Sequence, residues 1–154
     1  MKPLDAPTVE EVEEEATDLV VRFADAWSKM DPDAFTPLFH PDVHLIHPIE
    51  RNAHGIEQAR EFMARTMSVV EDLRYDVEGW AHGSGHVIIW GRLYGTAGGS
   101  PIEWPLVDRI RLERGLIRER VAYFDPLAIF AILIRRPRAW LPFLRAQLRR
   151  LWGR

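Results

Sequence analysis

The sequence predicts one α+β domain in which helices come first and a run of hairpin-linked strands then forms a curved antiparallel sheet around them. Three observations carry this expectation. Apolar residues recur at helical spacing from Val9 to Trp27 and again after Gly55, the period changes to two beyond Asp72, and Gly-containing breaks separate the stretches that follow.

Taken in order, Thr8 and Glu11 form a capping-box pair, and Val9, Val12, Ala16, Leu19, Val20, Phe23 and Trp27 continue a helix to about Met30. The acidic run Glu10 to Glu15 suits the positive end of that helix and is read as its solvated first turns. Asp31 then caps a second, short helix with Pro32 at its first position, lasting to about Phe39. After a loop at 40–42, Val43 to His47 reads as a short strand stopped by Pro48, and an irregular segment leads to a third helix that begins after Gly55 and lasts to about Val69. The four strands 73–82, 86–95, 103–113 and 116–125 follow as a meander, with Gly115 expected at positive φ in the last turn.

The 154 residues are enough for one substantial core, and 47% hydrophobic with 28% charged residues is a globular balance. A net charge of −3 argues against nucleic acid as a partner. With no Cys there is no disulfide, and the N-terminus is acidic without an apolar leader, so a cytoplasmic protein is expected. The body is taken as residues 1–126. An extension, 127–154, carries seven Arg and no carboxylate, which leaves a formal −10 on the residues before it. Its first part, Leu127 to Ile134, is apolar all round, and 139–152 reads as a basic amphipathic helix. That helix is expected to dock on the acidic body or a second subunit; the rival reading is contact with an anionic membrane surface.

Asp108 is the one charge on a strand face shared with Trp104, Leu106, Ile110 and Leu112. A carboxylate so placed needs a hydrogen-bonding partner or has a raised pKa. His86, Ile88, Trp90, Arg92 and Tyr94 would share a face of the preceding strand, with Asp125 as the partner expected for Arg92, in a structural or a catalytic pair. His47 is expected to face inward, as a hydrogen-bonded core residue or as an acid-base group. The six His show no i, i+4 pair around a Glu and no Cys assists, so no metal and no cofactor is expected. Phe23, Trp27, Trp90, Trp104 and Phe124, with Tyr94, describe either ordinary core or the wall of an apolar ligand pocket.

The layout FADAWSKMDPDAFTPLFHPDVHLIHP, then HGIEQAREFMA, then PLVDRIRLERGLIRERVAYFDP resembles the SnoaL-like branch of the nuclear transport factor 2-like superfamily, which includes ketosteroid isomerases, polyketide cyclases and limonene-epoxide hydrolases. The resemblance covers about residues 17 to 126. It implies a cone of curved sheet and three helices around one apolar pocket, often in homodimers packed through the sheet. Against the ketosteroid isomerase pattern, Asp108 falls at the oxyanion-hole Asp, His47 at the general-base Asp, and Phe23 at the oxyanion Tyr. Against the epoxide hydrolase pattern, Asp125 and Arg92 match an Asp and the Arg, Tyr94 stands at the second Asp, and Leu45 and His47 stand at the Tyr and Asn.

What this implies is a pocket for a small apolar molecule, with acid-base isomerisation or cyclisation of a carbonyl or polyketide-like compound as one outcome. In that scheme a protonated Asp108 donates to a developing enolate oxygen and His47 takes the proton. The alternative is a non-catalytic lipophilic binder or interaction protein.

Overall fold

The computed structural model describes residues 8–97 and 99–134. Helix α1 (Val9–Ser28) opens on the expected capping box: the Thr8 side chain accepts from the Glu11 amide, and the Glu11 carboxylate accepts from the Thr8 amide at 2.7 Å. Asp31 caps the next segment by accepting from the Asp33 amide at 2.9 Å, but Pro32–Leu38 winds as a 3₁₀ helix. Pro37 lies inside it and has no N–H to sustain a longer α-helical ladder.

Strand β1 (Phe39–Ile46) starts earlier than expected and absorbs the 40–42 loop as an irregularity between Phe39 and His44. A two-residue strand, β2 (Ala53–His54), pairs antiparallel with it, and helix α2 (Gly55–Val69) follows. The meander is β3 (Glu71–Gly83), β4 (His86–Ala97), β5 (Ser100–Glu113) and β6 (Leu116–Tyr123), and a last helix, α3, spans Pro126–Ile134. Gly115, at φ 73°, closes the β5–β6 turn as its position demands. The amphipathic segment 139–152 lies outside the described residues.

The six strands form one sheet in the order β2-β1-β6-β5-β4-β3. It is mixed rather than wholly antiparallel, because β1 runs parallel to β6. Every other pair is antiparallel. No short turn joins β1 to β6, so local turn chemistry does not set their relative direction. Irregular register at 77–79 in β3 and beside Arg111 in β5 bends the sheet, and the helices pack on its concave side.

Cross-strand partners share a face, which settles what points inward. Ile89 pairs with Asp108, and Asp108 with Ala122, all on the concave side. Trp90 pairs with Val107, and Val107 with Tyr123, so these three make an exposed apolar row on the convex side. A homodimer through the sheet would have to cover that row. The facing expected for Trp90, Arg92 and Tyr94 is therefore corrected: on β4 it is Val87, Ile89 and Leu93 that are buried.

The core is dense in rings. Phe23, Trp27, Phe35 and Tyr75 meet edge to face, with centroids 5.2 to 6.3 Å apart.

Candidate functional site

At the centre of the concave face is a charge pair. Asp108 is fully buried, and its partner is Arg120 of β6, whose Nε donates to Oδ1 at 2.9 Å while Nη2 donates to Oδ2 at 3.2 Å. The guanidinium lies 5.5 Å above the Phe23 ring and 6.0 Å from that of Trp27. These two residues are the only charged side chains buried to this degree among the described residues.

Burial raises the Asp108 pKa, the direction expected of a carboxylate on this face, and the charge and hydrogen bonds of Arg120 oppose the rise. A guanidinium does not give up its proton and cannot be buried without a counter-charge, so the pair is ionic at neutral pH. Both Asp108 oxygens accept from Arg120. The expected role of a protonated donor toward an enolate is corrected accordingly.

His47 sits at the end of β1, half-buried between Phe62 and Phe124, with ring centroids 5.5 and 5.0 Å away. Pro48 ends the strand there, and the chain folds back so that the amides of Ile49 and Glu50 donate to His47 Nδ1 at 3.3 and 3.0 Å. With Nδ1 accepting, the ring proton is on Nε2, so neutral His47 presents a donor to its surroundings. Desolvation, and then the Arg120 charge, lower its pKa to about 4. A weakly basic imidazole whose acceptor nitrogen is occupied is poorly suited to the general-base role expected of it.

This shift has a measurable consequence. Unfolded His47 titrates near 6.5, so between about pH 4 and 6.5 the unfolded chain binds more protons and stability rises with pH. The contribution is fully present above about pH 6.5, is lost as pH falls toward 4, and amounts to the order of 2–3 kcal/mol. Urea unfolding at pH 7.0 and 4.5 should show this loss in wild type and a much smaller one in His47→Phe. Equal losses in both would remove His47 as the cause.

Sequence reasoning missed two residues of the concave face. Arg120 was one, although its face could be read from the alternation that places Ala122 and Phe124 inward. The other is Tyr75 of β3, whose hydroxyl is buried without a hydrogen-bond partner among the described residues. Desolvation, and then the Asp108 charge, push its pKa up, so the phenol stays protonated. The indole N–H groups of Trp27 and Trp104 are likewise buried without an acceptor. Tyr75 pairs with Leu93, and Leu93 with Trp104, so Tyr75 and Trp104 lie two strands apart on the same face, roughly 10 Å.

Of the residues singled out from the sequence, the structure brings together Phe23, Trp27 and Asp108 through Arg120, joins His47 to Phe124, and turns Trp104 to the same concave face. Four others lie elsewhere. Trp90, Arg92 and Tyr94 are convex; Arg92 pairs with Glu78 at 3.1 Å and Glu103 at 3.6 Å, and Arg74 lies over the Tyr94 ring at 5.2 Å. Asp125 is exposed and accepts from the Leu127 amide at 2.9 Å at the start of α3, so the expected Arg92–Asp125 pair is not formed. Its place after β6 makes it a helix cap. Among the described residues there is no group of three or more His, Cys, Asp or Glu placed to hold a metal ion.

Comparison with known proteins fits this architecture. The model of the SnoaL-like domain matches residues 20–120. The chain belongs to the SnoaL-like domain family. Its match covers β1 and the meander as far as Arg120, so both members of the buried ion pair lie within the SnoaL-like region.

Similar solved structures include a hypothetical protein with a ketosteroid isomerase-like fold from Catenulispora acidiphila, in complex with trimethylamine, at 24% identity and a TM-score of 0.68, over 73% of this chain and 89% of that one. A SnoaL-like polyketide cyclase from Jannaschia is 22% identical with a TM-score of 0.67, over 76% and 90%. TerC, crystallised with polyporic acid, is 18% identical with a TM-score of 0.69, over 76% and 96%. At these identities the likeness concerns the fold. No curated protein matches the sequence.

Proposed function

We propose that this SnoaL-like chain binds a small, flat, largely apolar molecule that carries a carbonyl oxygen, on the concave face of the sheet. The observation that carries the reading is the set of three buried ring donors, Trp27 Nε1, Tyr75 Oη and Trp104 Nε1, without an acceptor among the described residues. Buried donors are nearly always paired, and an acceptor on a ligand is one explanation for those that are not. Aromatic walls with a few convergent donors suit a ring system bearing carbonyls and give little to a charged ligand. The crystallisation of TerC with polyporic acid and the likeness to a polyketide cyclase are in keeping with this class of compound.

Binding is favoured over isomerisation or cyclisation. Moving a carbon-bound proton requires a free base, whereas both Asp108 oxygens are engaged by Arg120 and His47 Nδ1 by two amides.

Matched probes separate the carbonyl from the ring. 1,4-Naphthoquinone and naphthalene can each be titrated against the protein by quenching of Trp fluorescence. Tyr75→Phe should weaken the quinone by about tenfold, the cost of one unpaired hydrogen bond, and leave naphthalene nearly unchanged. Equal affinity of wild type and variant for the quinone would remove Tyr75 as a donor. Conversion of a bound carbonyl compound by wild type, lost in His47→Phe, would restore the catalytic reading.

A further inference from the structure

Helix α3 leaves the end of β6 with an apolar stripe turned to solvent. Leu127, Ala131 and Ile134 stand at i, i+4 and i+7, which is one face of a helix, and all three are exposed. Leu127 is 73% and Ile134 69% exposed, far more than such side chains show inside this fold. The stripe belongs neither to the concave site nor to the convex row of Trp90, Val107 and Tyr123.

We propose that α3 is an interfacial anchor that lies on an anionic lipid surface, with its stripe among the acyl chains and the arginines that follow it at the headgroups. Two properties of the chain select this partner. In the sequence Arg135 and Arg136 end the apolar run of α3 after nine residues, roughly 14 Å of helix, and no helix among the described residues is long and apolar enough to cross a membrane, so this run suits lying on a bilayer rather than spanning one.

Charge supplies the second. In the sequence Arg135 and Arg136 follow Ile134 directly, and residues 135–154 hold seven Arg, no Asp or Glu, and two Trp. An anionic bilayer presents apolar chains and negative headgroups in one plane, which is the pairing that an exposed apolar stripe with adjoining arginines requires. The formal −10 on the preceding residues repels the same surface, so the body would be held off it while the tail is drawn in.

Flotation of the full-length protein with vesicles of phosphatidylcholine alone, or with 30 mol% phosphatidylglycerol, tests this. Recovery should be about tenfold higher with the anionic vesicles and should collapse in 0.5 M NaCl. The double variant Leu127→Asp/Ile134→Asp should lose about tenfold or more of that binding. Both side chains are exposed, so its thermal melt should match wild type; if it does not, Leu127→Ser/Ile134→Ser provides the milder comparison.

Recovery in the soluble fraction with both vesicle types would overturn the proposal, as would equal binding to neutral and anionic vesicles. A wild-type dimer on size exclusion that becomes monomeric in the double variant, without vesicle binding, would assign the stripe to a second copy instead.

Discussion

Asp108→Asn should cost about 3–5 kcal/mol of stability, whereas Arg120→Met should cost clearly less near neutral pH. The two substitutions remove the same bidentate contact but leave different orphans behind. Asn at 108 leaves a buried guanidinium, which cannot shed its proton and has no other buried carboxylate to turn to among the described residues. Met at 120 leaves a carboxylate whose pKa burial already raises, and it can take up a proton and become neutral.

The Arg120→Met penalty should therefore depend on pH. A folded pKa above the unfolded value stabilises below the unfolded pKa, and this contribution fades as pH rises through the folded one, so the variant should weaken toward alkaline pH. The double variant Asp108→Leu/Arg120→Met should come back to within about 1 kcal/mol of wild type or exceed it. Urea unfolding of the four proteins measures all of this. Equal costs for the single variants, or a double variant with the sum of both, would show that the pair is not an isolated buried charge lock.

Gly91→Ala is the second large effect expected, upward of about 3 kcal/mol. A β-carbon at Gly91 would run into the backbone carbonyl of Asp76 on the neighbouring strand, with the Tyr75 ring at 2.9 Å. Backbone held in the β3–β4 ladder cannot step aside unless the two strands separate. Gly79→Ala is the control, since the atoms nearest to the methyl would all belong to the indole of Trp90, a half-exposed side chain on the convex face that can rotate away. Thermal melts should place Gly79→Ala well above Gly91→Ala, and similar losses in both would mean that β3 adapts more readily than its register suggests.

The sequence reveals those elements whose signals are local. The Thr8–Glu11 box, Pro32 after Asp31 and Gly115 in its turn each act within a few residues, and each is found where the sequence places it. The strand face bearing Trp104, Leu106, Asp108 and Ile110 is legible too, because its opposite face is polar enough to leave one choice.

On β4 both faces are apolar, and the larger rings of Trp90 and Tyr94 point to the wrong one. The helical segments explain why: Phe23, Trp27 and Phe35 pack as large rings on the concave side, so β4 contributes medium-sized Ile89 and Leu93 and the bare backbone of Gly91 there. Arg120 shows the other limit. Asp108 announces its need for a partner, but the partner is defined only by β5–β6 pairing, which places Arg120 opposite Ile110 and so beside Asp108.

The parallel contact of β1 with β6 also fixes the order in which the molecule can be completed during synthesis. The first strand made finds its neighbour in the meander only after the last strand exists, for β6 is the sole bridge between the β1–β2 pair and β5. A nascent chain ending before Leu116 would carry two sheet fragments with open edges facing each other. The same strand brings the guanidinium to Asp108, so that carboxylate must stay hydrated or protonated until β6 arrives. Closure of the sheet and neutralisation of its interior are thus a single late event, with the helices held waiting on an unfinished platform.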